Sequence, residues 1–401
     1  MGKPRVRGST TQHEEGEGSR DDADALTLEL ADGVQSIAQA EWDALVAPED
    51  GPFTRWAWLA SLEQAGCVRP EVGWLSRPLV VRRGDRLVAA LPLYLKGNSE
   101  GEFVFDHSWA RFAQRLRVEY YPKLLSAVPF TPATGRRLLV RSDEDRAVLA
   151  PLLARGLQAA VREMDVSSAH LLFANEDDAA VLEQAGLAPR VGVQFHWENK
   201  GYSTYDDFLA TFNSKRRHQL KRERRMVRES GVVVTTHRGR DISEEVLDAM
   251  ERFYLASVEK FSPWTRQYLN RPFFEKVIER MPDAIEIVIA RDGDRAIAGA
   301  FNVCGGNRLF GRYWGALEER PFLHFDVCYY HSIEQAILRK LDAFEPGAGG
   351  EHKLPRGFVP TRTRSFHVLK DARLDTAIRD FVQEERAAIE RELLGAPEGE
   401  D

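Results

Sequence analysis

The side chains able to do chemistry fall in a few short segments. Glu345-Pro-Gly347-Ala-Gly349-Gly350-Glu351-His352-Lys353-Leu-Pro-Arg356-Gly357 gathers carboxylates, an imidazole, an ammonium and a guanidinium. Three glycines in four residues let the backbone pass close to another group. His352 is the side chain here whose ordinary pKa sits near neutral pH, so it is the candidate to take a proton from an attacking amine. Glu351 is placed to orient it or to serve instead. The same residues also suit a polar loop stitched by hydrogen bonds, and the sequence leaves both readings open.

A second segment holds Arg312, Tyr313 and Trp314, where a strand is expected to end, and a helix expected to begin near His324. These four residues, with Lys353, are candidates for substrate binding. Asp326 falls in the first helical turn, where the helix dipole favours an anion and lowers its pKa. It therefore reads as a structural acid and a poor general base. His331 lies seven residues beyond His324, on roughly the same helix face, but no HExxH-type spacing accompanies the pair, and no metal site is expected. In the first half, Asp106-His107-Ser-Trp109, Tyr120-Tyr121-Pro122-Lys123 and Pro129-Phe-Thr-Pro132 suggest a rigid rim. Tyr121 and Lys123 are its candidate substrate contacts, and a packed loop is the alternative.

The sharpest local signal is ionic. Ser203 and Asp206 resemble a helix-capping box, and Tyr205, Phe208, Leu209 and Phe212 share one apolar face. Lys215 to Arg228 then holds eight Lys or Arg among fourteen residues against one Glu. That is +7 in a chain whose total is −7, so the remainder carries −14. The segment's apolar residues, Leu220, Met226 and Val227, make only a thin stripe. Such segregation concentrates positive potential. It suits cofactor phosphates or an RNA backbone, with Lys215, Arg216, Arg217, Lys221 and Arg222 as the phosphate-holding candidates. A solvated helix paired with acidic neighbours is the plain alternative.

The surrounding chain must position these segments. At 401 residues with 43% hydrophobic side chains it is long enough for two cores. No run approaches ~18 uninterrupted apolar residues, the length of a membrane span. No secretory signal is read at the N-terminus, and Cys67, Cys304 and Cys328 lie far apart, which points to a cytoplasmic protein without a disulfide framework. There is no GxxxxGK[ST], no GxGxxG after a strand and no GxSxG.

The chain also repeats itself. Leu79-Val-Val-Arg-Arg-Gly84-Asp85-Arg86 and its following strand match Ile287-Val-Ile-Ala-Arg-Asp-Gly293-Asp294-Arg295 and its own. The Gly-Asp-Arg turns stand 209 residues apart. Each hairpin follows a helix, expected over 53–65 and 272–281. Each is expected to precede an aromatic strand, Phe103-Val-Phe-Asp or Leu309-Phe-Gly-Arg-Tyr-Trp. One order at one offset indicates a tandem duplication of an α+β unit. Disordered tails are expected over 1–25 and 394–401. The first domain is expected over 26–190 and the second over 191–393, with the basic helix at 214–230.

Phe208 to Val234, with Arg217, Leu220, Lys221 and Arg222 and then Gly231-Val, is similar to the basic helix of Fem-type peptidoglycan aminoacyltransferases. Across about residues 40–390, Phe105-Asp-His, Tyr121-Pro-Lys, Pro129-Phe-Thr-Pro, Gly311-Arg-Tyr-Trp-Gly, Leu323-His-Phe-Asp-x-Cys-Tyr-Tyr and Gly350-Glu-His-Lys resemble the FemAB-like peptidoglycan biosynthesis or recognition proteins. The resemblance implies tandem GNAT-like domains with mixed sheets flanked by helices. It also implies N-acyl transfer from an activated donor to an amine, with backbone amides at a splayed strand aiding the reaction. The donor expected is aminoacyl-tRNA or acyl-CoA, used as a co-substrate, with no tightly bound cofactor. The Arg/Gln-x-x-Gly-x-Gly/Ala loop of acyl-CoA enzymes and the coiled-coil arm of some Fem enzymes are both missing. Two other readings stay open: a non-catalytic protein that recognises cell-wall precursors or RNA, and an acyl-CoA enzyme acting on a small amine.

Overall fold

The structure, a computed structural model, describes residues 25–262 and 266–395. The expected N-terminal tail lies outside the described residues up to position 24, and the C-terminal one from 396 on. The final helix runs through Gly395, so positions 394 and 395 are helical rather than tail.

In chain order the first half comprises β1 (Leu26–Leu30), α1 (Gln39–Asp43), α2 (Trp56–Gln64), β2 (Trp74–Ser76), β3 (Leu79–Arg83), β4 (Arg86–Leu91) and β5 (Tyr94–Lys96). Then follow α3 (His107–Arg115), β6 (Lys123–Ser126), β7 (Leu139–Val140), α4 (Arg146–Glu163), β8 (Ser168–Leu171), α5 (Glu176–Gln184) and β9 (Ala188–Glu198). The second half has α6 (Tyr205–Ala210), α7 (Ser214–Glu229), β10 (Val232–Arg238), α8 (Glu244–Lys260), α9 (Arg271–Arg280), β11 (Ile285–Asp292), β12 (Arg295–Gly305) and β13 (Arg308–Ala316). It ends with α10 (Leu323–Phe325), α11 (His331–Leu338), β14 (Ala343–Glu345), β15 (Val359–Leu369) and α12 (Ala372–Gly395).

The duplication is visible atom by atom in the two hairpins. Both carry a β-bulge, between Val81 and Arg82 and between Ala290 and Arg291. In each, the bulged arginine turns back onto the hairpin. Arg82 Nη1 donates to the Asp85 carbonyl at 2.7 Å, and Arg291 Nη1 to the Asp294 carbonyl at 3.1 Å. Gly84 and Gly293 take φ of 57° and 56°, the left-handed values a tight turn demands. The strand expected at Phe103–Asp106 is absent. Asp106 instead N-caps α3, and β6 occupies the place that β13 has in the second half. Pro78 and Pro92, which cannot donate to a ladder, break the first hairpin into β2/β3 and β4/β5. As a result β1, β3, β4 and β7 form a separate four-stranded sheet.

The other eleven strands form one sheet in the order β10-β11-β12-β13-β14-β9-β15-β8-β6-β5-β2. Its centre is the nine-pair antiparallel ladder of β9 and β15. On each side lies a parallel pair, β13 with β14 and β6 with β8. The last strand of each half therefore sits against the parallel pair of the other. Position 190, expected as a domain boundary, falls inside β9, because that strand runs for eleven residues from Ala188.

Helices cover both faces. Among them α8 packs on β13 so closely that a Cβ on Gly315 would lie 1.7 Å from the Phe253 carbonyl oxygen. Only glycine permits that approach. Among the described residues no helix is long and apolar enough to cross a membrane.

Candidate active site

The two strands of the second parallel pair separate. Their last paired residues are Phe310 and Glu345. Beyond them the chain leaves β14 at Pro346, while β13 continues from Gly311 to Ala316 paired only with β12. The backbone on that edge of β13 has no strand partner, so its amides face the gap. A bulge between Phe301 and Asn302 sets Arg312 out of register. Arg312, Tyr313 and Trp314 consequently do not line a single face. Arg312 lies over the Phe53 and Phe310 rings at 5.5 and 5.9 Å, and Tyr313 donates its hydroxyl to the Phe130 carbonyl at 3.1 Å. Both look toward the first half. Trp314 is on the other side, 5.2 Å from the His324 ring.

That other side holds the imidazoles. His324 lies 5.2 Å from Tyr329 and 6.2 Å from His352, ring to ring. The Tyr329 hydroxyl and His352 Nε2 share a hydrogen bond of 2.9 Å. His352 is exposed on a 3₁₀ turn, Glu351–Arg356, with Glu351 exposed beside it. Burial pushes His324 down to about 4, helped by the neighbouring His352, Lys353 and Arg356 charges. The same influences lower His352, with partial burial first and Lys353 and Arg356 after it. Both imidazoles are thus neutral at pH 7, the form that accepts a proton.

The glycine-rich segment serves a lysine. Lys353 is 2% exposed, and its ammonium donates to the carbonyls of Gly347, Ala348 and Gly349. Gly347, Gly349 and Gly350 take φ of 94°, 72° and 95°, which turns those carbonyls inward. Lys353 was expected to meet substrate. Instead its three protons are used in holding the loop, and burial lowers it to about 8. The stitched-loop reading therefore applies to Lys353 and Arg356, while His352 remains available. A Cβ on Gly350 would fall 2.4 Å from His352 Cε1, so this glycine makes room for the imidazole.

The helical stretch beneath contains a π turn, Asp326–Tyr330, between α10 and α11. π turns often occur at functional sites. The wider turn also rotates His331 away from His324. His331 Nε2 meets Thr236 Oγ1 at 2.7 Å on β10 instead, so the two histidines do not share a face. Among the described residues no group of three or more His, Cys, Asp or Glu is placed to hold a metal.

Helix α7 docks behind this stretch. Its N-cap is Asn213, and Leu220 and Val227 are buried. Met226 is exposed. The inner face carries ions that the charge pattern concealed. Arg224 pairs with Asp326 at 3.1 Å and Glu334 at 2.6 Å, over the Tyr205 ring. Glu223 accepts from Arg356 at 3.0 Å and from the Tyr330 hydroxyl. Asp326 is a structural acid as expected, but its pKa moves up. Burial raises it, and Arg224 offsets only part of that. Desolvation there outweighs the pull of the helix dipole. Lys215, Lys221 and Arg222 are exposed and Arg216 and Arg217 half-buried, with Lys221 paired to Asp206 at 2.8 Å. The capping box sits one residue later than expected, on Thr204 and Asp207, because Thr204 supplies the extended backbone a cap requires.

In the first half the expected rim is interior. Lys123 is fully buried, donating to Ser99, Glu102 and Asp106 at 3.0, 2.9 and 2.5 Å. Burial opposes its charge, but the two carboxylates outweigh it and keep Lys123 protonated. Tyr120, also buried, donates to Asp106 at 2.7 Å. Tyr121 is half-buried and bonds Ser99 Oγ at 2.7 Å. Neither Lys123 nor Tyr121 joins the β13–β14 gap.

Sequence reasoning missed three residues. Tyr329 is a core residue whose hydroxyl also touches His352. Arg224 was counted with the surface charges. Glu345 was quoted without a role. It ends β14 at the separation point, 3% exposed, with Oε1 3.1 Å from Arg308 Nε and Oε2 lacking a hydrogen-bond partner. A carboxylate closing a short strand before Pro-Gly was the available signal.

The FemAB-like family model, described as peptidoglycan biosynthesis/recognition, matches residues 33–397. No curated protein matches the chain. Among solved structures, FemX is similar at 12% identity with a TM-score of 0.52, over 86% of this chain and 98% of that one. The C-terminal domain of a putative lysylphosphatidylglycerol synthetase from Agrobacterium fabrum aligns at 11% identity and TM-score 0.49, over 76% and 87%. A tandem GNAT protein from the clavulanic acid biosynthesis pathway aligns at 13% and 0.45, over 86% and 98%. At such identities a likeness concerns fold alone, and FemX carries it. The architecture is α+β, with tandem duplicated units.

Proposed function

Because the chain belongs to the FemAB-like peptidoglycan biosynthesis/recognition family, we propose that it is an N-acyltransferase, moving an acyl or aminoacyl group from an activated donor to an amine. The observation that carries this reading is the parting of β13 from β14 beside the Tyr329–His352 pair. An acyl transferase must align an amine with a carbonyl and stabilise the oxyanion that forms. The unpaired amides of β13 suit the second task. His352, neutral and exposed, suits removal of the amine's proton, with Glu351 in reserve. The cations of α7, Lys215, Arg216, Arg217, Lys221 and Arg222, suit the phosphates of CoA or tRNA. Cell-wall precursors are the acceptor class that the family description favours.

Thermal denaturation with acetyl-CoA, long-chain acyl-CoA and charged tRNA, at low and moderate salt, tests the reading. A donor at a hundred times its dissociation constant stabilises the fold by ~2.7 kcal/mol. A shift with one class names the donor. No shift with any of them sinks the transferase reading and favours recognition without turnover, the other activity in the family's description.

A further inference from the structure

A cavity of about 420 Å³ opens between the two halves at the separation of β13 and β14. Asp50, Thr134 and Arg136 line it from the first half, and Arg308, Glu345 and Arg362 from the second. Two of these arginines are already engaged. Arg136 pairs with Asp50 at 3.3 Å and Asp177 at 3.1 Å, and Arg308 holds Glu345 Oε1. Arg136 Nε is buried without a hydrogen-bond acceptor, and two further atoms of the lining lack a donor. Glu345 Oε2 has no hydrogen-bond partner, and neither does Thr134 Oγ1. His196 Nε2, 3.9 Å from Oε2, is beyond hydrogen-bond reach and bonds Gln194 Oε1 at 3.1 Å.

A buried carboxylate oxygen without a donor is costly. A bound phosphate or carboxylate would add repulsion from Glu345 and Asp50. A primary ammonium supplies three donors and a positive charge. The cavity also reaches the right place, since Glu345 is the last residue of β14 paired with β13.

We propose that this cavity binds the primary amine of the acceptor substrate, with Glu345 Oε2 and Thr134 Oγ1 receiving its protons. The assignment rests on the transferase reading and deepens it. The amine enters from the side facing the first half, and the gap between β13 and β14 is its way to His352 on the other side.

The test is a thermal-shift comparison of ethanolamine, glucosamine and putrescine with ethylene glycol, glucose and butanediol. At least one amine is expected to raise Tm where its hydroxyl counterpart does not. Glu345→Gln should weaken that binding roughly 10- to 100-fold, the effect of losing a hydrogen bond to a charged group. Thr361→Trp, at a half-exposed position on the cavity wall, should block it while leaving Glu345 intact. The Trp variant decides the matter if the Gln variant fails to fold. No shift with any amine overturns the proposal, as does a shift that survives both substitutions. Mass-spectrometric detection of acylated amine separates the two readings. Amine binding without product from any donor leaves the pocket standing and sinks the transferase. Product formed by the Gln variant with an unchanged KM for the amine does the reverse.

Discussion

The hydroxyl of Tyr329 and Nε2 of His352 meet at 2.9 Å, joining a π turn to a glycine-rich loop. Tyr329 is buried and His352 exposed, so a fixed phenol orients a ring that solvent and substrate can reach.

If His352 is the general base, His352→Ala should lower kcat by about 10²- to 10⁴-fold. Its lowered pKa gives the sign of the pH effect. The neutral ring persists below the ordinary value near 6.5, so the acid limb of the rate profile should lie below that pH. Tyr329→Phe should move the limb with little change in KM. An acid limb unaltered in both variants would remove His352 from the mechanism.

The outer face of α7 should govern donor affinity. Lys221→Glu with Arg222→Glu leaves the fold intact, since both side chains are exposed. Donor binding measured from 50 to 200 mM salt should weaken, and the log–log salt slope should flatten by about one per lost phosphate contact. An unchanged affinity at low salt would show that the cations are merely solvated.

Arg224 should matter for stability rather than for donor binding. Arg224→Met leaves Asp326 buried without its partner and should cost about 3–5 kcal/mol in urea denaturation. Adding Asp326→Asn should restore much of that. A loss below 1 kcal/mol for the single variant would mean that water reaches Asp326.

Acid should destabilise the first half through His170. Burial pushes it down to about 3, and its Nδ1 lies 2.7 Å from that of His367. Unfolded histidine takes a proton near pH 6.5, whereas the folded one resists until about 3. The contribution of His170 is therefore fully present above 6.5 and is lost as the pH falls toward 3, at up to about 1.4 kcal/mol per pH unit. His170→Asn should flatten the fall of Tm across that window. An equally steep fall in the variant would assign acid lability elsewhere.

By itself the sequence determined the local units. A glycine turn between alternating apolar runs specifies a hairpin whatever surrounds it, so Gly84 and Gly293 disclosed the duplication. The stripe of Tyr205, Phe208, Leu209 and Phe212 likewise disclosed α6, where Phe208 and Leu209 are buried. Charge density marked α7, but not that Glu223 and Arg224 would turn inward, since their partners Tyr330 and Asp326 lie more than a hundred residues on. The exchange of β9 and β15 between the halves, the interior position of Lys123 and the orphaned oxygen of Glu345 were decided only by tertiary structure. Each depends on which strands pair over long separations and on how much water is excluded when they do. Burial and desolvation then set the charge state and direction of a side chain, and residue type and spacing carry no record of either.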